Sequence, residues 1–211
     1  MSIKGTSLLL IYLVLSTGAI HAQAISIDGE ILEMEWKDAE AYQLNSGVEV
    51  YIQLSESVLY VGLKGRSDGW AHVYLNSGDT IWILHASAAL GSSTYVRDNN
   101  SWRNVSCYNW ELRDSEINDE ATARMEAYYS KNGWVSNNNA MTKTQSAEYR
   151  INLEFFNTGE IRLAAFYASS AMNPPVFPEG ISDATGDQQI VFGNCPDEVT
   201  FMPDKWQVIV K

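Results

Sequence analysis

The residue types best suited to chemistry gather in residues 69–95, GWAHVYLNSGDTIWILHASAALGSSTY, which hold His72 and His85, two of the chain's three histidines, together with Asp79 and Ser87. Histidine, serine and aspartate are the components of a nucleophilic triad. No G-x-S-x-G elbow accompanies them, and neighbours along a strand do not make a triad by themselves. If the stretch folds as a hairpin, His72 and His85 approach each other across it and could ligate a metal ion or, with Met125, Met141, Met172 or Met202, a haem. Two histidines without a third ligand at a diagnostic spacing are a weak metal signal and read first as hydrogen-bonded structural histidines. The 26 acidic residues offer many carboxylate pairs for glycoside hydrolysis, whose competence depends on separation in space. A hydrolase of unrecognised type is the third reading of the stretch, after ligand binding and metal or haem binding.

Aromatic residues supply a different chemistry. Seven tryptophans and eleven tyrosines offer ring faces that stack on the C–H faces of sugars while nearby amides and carboxylates bond the hydroxyls. Trp70, His72 and Tyr74 form one such group, and Trp102, Tyr108 and Trp110 another; filling a sandwich core is the alternative for both. The small residues of HASAALGSS, 85–93, would let a backbone or a ligand come close. Asp28, Glu30, Glu33, Asp183 and Asp187 supply hard oxygens for calcium, yet none fits the twelve-residue EF-hand loop, and a solvated acidic surface explains them as well.

These side chains must be positioned by strands. Residues 47–54 and 58–64 alternate with a two-residue period around Ser55-Glu56-Ser57, and 70–76 and 80–84 do so around Ser77-Gly78-Asp79. In the second hairpin Ala71, Val73 and Leu75 share one face and Trp70, His72 and Tyr74 the other, with Val73, Leu75, Ile81 and Ile83 expected in the core. Further strands are expected at 25–29, 101–112, 147–153, 161–167 and 206–210, with a turn at Asn157-Thr158-Gly159. Leu32 and Trp36 suit a single helical turn. One helix is expected, capped by Asn118 or Asp119 and stopped by Gly133. Residues 173–204, rich in proline, glycine and aspartate, read as a long ordered loop. This is the pattern of an all-β antiparallel sandwich, jelly-roll-like, with one short helix.

Residues 1–24 read as a signal peptide: Lys4, an apolar run from Leu8 to Leu15, and an A-x-A site at Ala22-Gln23-Ala24. The run is too short for a membrane span. Residues 25–211 then form a single domain that is secreted, periplasmic or at the cell surface. Fourteen basic against 26 acidic residues, a net charge of −12, argue against nucleic acid or anionic membrane as partners. Cys107 and Cys195 are either a disulfide, which an oxidising compartment permits, or two buried thiols.

The run IDGEILEMEWKDA, residues 27–39, resembles the I-D-G-x-x-x-E-x-x-W-x-x-A motif that opens family 9 carbohydrate-binding modules, with Asp28, Gly29, Glu33, Trp36 and Ala39 at the matching places. VEVYIQLSESVLYVGLKG, residues 48–65, resembles that family's next hairpin. AEYRINLEFF, residues 147–156, resembles its Y-x-x-x-I-x-L strand. The resemblance implies a sugar-binding β-sandwich, often carrying structural calcium, and the same fold is similar to haem-binding DOMON domains. The expectation from the sequence is therefore an exported, non-catalytic carbohydrate-binding domain using Trp70, His72, Tyr74, Trp102 and Trp110. A haem- or metal-binding domain using His72 and His85 is the alternative.

Overall fold

A computed structural model describes residues 25–67, 69–112, 119–138, 145–156, 159–168, 175–181, 185 and 193–210. The signal peptide, the turn residues Asn157 and Thr158, Asp183, Asp187, Met141 and Met172 lie outside them. The described strands, in chain order, are β1 (Glu40–Gln43), β2 (Glu49–Ser55), β3 (Val58–Lys64), β4 (Trp70–Ser77), β5 (Thr80–Ala86), β6 (Leu90–Asp98), β7 (Ser101–Ser106), β8 (Trp134–Asn138), β9 (Ser146–Asn152), β10 (Ile161–Ala168), β11 (Val176–Phe177), β12 (Glu198–Val199) and β13 (Gln207–Val210). The helix α1 (Asp119–Asn132) precedes β8, and Gly133, with φ of 74°, stops it as its sequence position requires.

All pairings are antiparallel, and the strands form two sheets. The smaller runs β1-β2-β3-β9-β8; the larger runs β11-β10-β4-β5-β6-β7-β12, with β13 also on β10. Alternation explains the layer between them. Val50, Leu59, Val61 and Leu63 of the smaller sheet meet Val73, Leu75, Leu84 and Leu163 of the larger one, each of them fully buried. Tyr149 crosses this layer and donates its hydroxyl to the Ala71 carbonyl at 2.9 Å.

The larger sheet is buried on its other face too. Tyr74, Ile81, Ile83, Tyr95, Trp102 and Phe166 form a second core with Ile181, Val199, Phe201 and Trp206 of the C-terminal segment. Hairpin register produces this arrangement. The two-residue turn Gly78-Asp79 pairs Ser77 with Thr80, so Asn76 faces Ile81, Tyr74 faces Ile83 and His72 faces His85. Ile81 and Ile83 are core residues as expected, but on the aromatic face of β4 rather than with Val73 and Leu75.

Other elements depart from expectation. The strand expected over 101–112 ends at Ser106, and Leu90–Asp98, which begins within HASAALGSS, is the nine-residue strand β6. Residues 25–27 form no strand, and residues 173–204 include the short strands β11 and β12. The turn at Leu32 and Trp36 is present, with Trp36 N–H donating to the Leu32 carbonyl at 3.2 Å.

The N-terminal motif closes over the smaller sheet around one carboxylate. Glu148 on β9 is fully buried. It accepts the Trp36 indole N–H at 2.9 Å, the Gly29 amide at 2.8 Å and the Asp28 amide at 3.2 Å. Burial pushes its carboxyl up to about 8, against the pull of those donors. Gly62 leaves the room that the Trp36 ring occupies, since a Cβ there would lie 3.1 Å from it. Residues 27–39 and 147–156, more than a hundred positions apart, are thus one hydrogen-bonded unit in space.

Candidate functional site

His72 and His85 stand directly opposite each other on β4 and β5, and His85 Nδ1 is hydrogen-bonded to His72 Nε2. Burial lowers the proton affinity of His72 well below the usual imidazole range, and the neighbouring His85 lowers it further. Burial takes His85 down to about 4. Two neutral imidazoles satisfy such a contact with a single proton, one ring donating and the other accepting.

Aromatic rings enclose the pair. Phe166 on β10 lies 4.5 Å from the His72 ring, and Trp110 meets His85 edge-on at 4.9 Å. Tyr108 stacks on Trp110 at 4.8 Å with an interplanar angle of 18°. The half-buried Tyr108 and Trp110 belong to the chain just after β7, where Leu90 and Glu111 exchange backbone hydrogen bonds of 2.9 Å. The Cys107–Cys195 disulfide, across Cα atoms 5.7 Å apart, ties this segment to the C-terminal segment. The two segments form a roof over β5 and β6.

The glycines of the site are explained by that roof. A Cβ at Gly91 would lie 2.9 Å from Trp110 Cε3, and one at Gly193 would lie 3.2 Å from Cζ2 of the same ring. The close approach that HASAALGSS allows is therefore made by the chain's own tryptophan. Ser87 is bound into its local turn, with its hydroxyl 3.3 Å from the Ala89 carbonyl, and Asp79 sits at the opposite end of the hairpin beside Arg97. His85, Ser87 and Asp79 do not assemble into a triad.

The five aromatic positions proposed from sequence separate. His72 and Tyr74 are fully buried and Trp102 is buried, so these three present no exposed face. The reason is the C-terminal segment, which the strand pattern of β4 does not register. Trp102 donates its indole N–H to the Phe201 carbonyl at 3.3 Å and is stacked by Arg97, within the second core, to which Trp110 does not belong. Trp70 and Trp110 are half-buried. Parity within 101–112 does place Tyr108 with Trp110, but Phe166, which completes the enclosure, carried no local signal.

Among the described residues, no group of three or more histidine, cysteine, aspartate or glutamate side chains is arranged to hold a metal ion. Asp28 Oδ1 accepts the Glu30 amide at 2.9 Å. Met125 packs against the layer between the sheets, whereas Met202 packs on the same core as the histidines. No helix among the described residues is long and apolar enough to cross a membrane. Comparison with protein-family models, with curated proteins and with solved structures returns no match.

Proposed function

We propose that this chain is an exported, non-catalytic β-sandwich that binds a carbohydrate where the Tyr108–Trp110 stack, with Trp70 at the start of β4, rims the buried histidine pair. The observation that carries the reading is the stack itself. Two parallel rings, half-exposed, are held in place by the glycines at 91 and 193 and by a disulfide one residue away. Rings fixed before binding lose little entropy when a sugar face stacks on them. The family 9 resemblance of residues 27–39 supports the same ligand class. His72, Tyr74 and Trp102 leave the list of surface contacts, and Tyr108 joins Trp70 and Trp110 on it.

A haem or metal ion at His72 and His85 has less support, because the two nitrogens that face each other are already hydrogen-bonded. Isothermal titration of the protein against soluble xylan, cello-oligosaccharides and simple sugars tests the proposal. Binding that Trp110→Ala weakens is the expected result; no heat with any of them overturns it.

A further inference from the structure

Three buried polar atoms of the second core have no hydrogen-bond partner among the described residues: His72 Nδ1 and the hydroxyls of Tyr74 and Tyr108. Their rings are neighbours, with His72 lying 5.9 Å from the Tyr74 ring and 6.3 Å from the Tyr108 ring. Buried polar atoms in folded proteins are nearly always hydrogen-bonded, since one left unpaired loses its hydration for nothing. Tyr95 in the same core shows the ordinary solution, donating its hydroxyl to the Pro196 carbonyl at 3.2 Å. A chain that needed only to fill this core could place phenylalanine at 74 and 108, as it does at 166 and 201. Two unpaired phenol hydroxyls in a core that elsewhere uses phenylalanine point to a use.

Charge decides which use. The ionisable groups acting on these three side chains are neutral at ordinary pH: His85 on His72; Tyr108, Tyr95 and Tyr149 on Tyr74; Tyr95 on Tyr108; Asp197 acts one ring away, on Tyr95. Among the described residues, no aspartate, glutamate, lysine or arginine acts on the three directly. A carboxylate, an ammonium or a metal ion would bring a full charge into an apolar surround with no charged side chain among the described residues directly against it. A hydroxyl group, donor and acceptor at once, pairs with an imidazole nitrogen and with a phenol at no such penalty.

We propose that His72, Tyr74 and Tyr108 form an inner subsite that receives an uncharged, hydroxyl-bearing group of the ligand, so that the protein selects neutral sugars or polyols over uronates and amino sugars. The identity of the ligand rests on the carbohydrate reading; the demand for a neutral hydroxyl rests on the unpaired atoms alone. Tyr108 as a residue is half-buried while its hydroxyl is buried, so it joins the outer rim to the inner subsite.

The test pairs melting with binding, using the full chain and its Tyr74→Phe and Tyr108→Phe variants, titrated with glucose, xylose, cellobiose and glucuronate. Spare hydroxyls predict that each variant melts at the parent temperature or higher, while affinity for the neutral sugar falls about tenfold or more. Glucuronate is expected to bind at least about tenfold more weakly than glucose. A lower melting temperature in both variants means that the hydroxyls already have a partner, such as an internal water, and overturns the subsite. Equal affinity for glucose and glucuronate overturns the selection for neutral ligands. If no saccharide binds, the carbohydrate reading fails, and the melting shifts still decide whether the hydroxyls are spare.

Discussion

Each sheet of this sandwich is covered on its outer face by a terminal segment, and each cover closes over a buried polar centre, but the two centres are built differently. Under the N-terminal segment, Glu148 accepts three N–H donors, so its oxygens are well used. Under the C-terminal segment, His72 and His85 bond each other while His72 Nδ1, Tyr74 and Tyr108 keep unpaired atoms. A satisfied buried network fastens a structure, whereas an unsatisfied one costs stability and needs another reason to be there. The contrast assigns the 27–39 motif to folding and leaves the aromatic stretch of β4 and β5 as the place for the proposed ligand.

The largest effect that would break this contrast is at Glu148. Glu148→Ala strands three donors and is expected to cost about 3 kcal/mol or more, read from urea unfolding. A loss under about 1 kcal/mol would mean that the N-terminal cover is not fastened there. The pH response sharpens the same point. Because the folded carboxyl stands at about 8, above its ordinary 4.5, its contribution is fully present below 4.5 and is lost as the pH rises through 8. Glu148→Gln should flatten that decline.

The histidine centre has the opposite sign. With His85 lowered from 6.5 to about 4, its contribution is fully present above 6.5 and is lost as the pH falls toward 4, by up to about 3 kcal/mol. Hydrogen exchange should therefore open residues 193–206 first in acid and residues 25–39 first in base. Loss of both covers in one pH direction would end the comparison.

Gly91→Ala should have a smaller effect. Its Cβ must displace Trp110, with an expected cost of about 1–3 kcal/mol and a matching loss of sugar affinity. Unchanged melting and binding would show that the tryptophan is not seated by that glycine. Ser87→Ala should do least, within about 0.5 kcal/mol of the parent in stability and with binding unchanged, since among the described residues its hydroxyl serves a local turn with Ala89. Any hydrolytic turnover that Ser87→Ala abolished would restore the triad reading.

The sequence was legible wherever contacts are local. Alternation placed β2, β3, β4 and β10 within a residue or two, and Gly133 stopped α1 where expected, because period, turn chemistry and capping are properties of neighbours in the chain. It also divided β4 correctly into an aliphatic and an aromatic face. It could not say that both faces are buried, that Ile81 and Ile83 share a face with the histidines, or that 90–98 is a strand beneath Trp110. Cys107 and Cys195, left open as a pair by the sequence, join across 88 residues. Trp102 meets Phe201 and Tyr95 meets Pro196 from about a hundred residues away. A strand's pattern records which side chains alternate, but what covers each face is decided by distant segments. That is why the sequence by itself determined the sandwich and its hairpins, and only the tertiary structure turned an expected aromatic surface into an interior with a half-exposed rim.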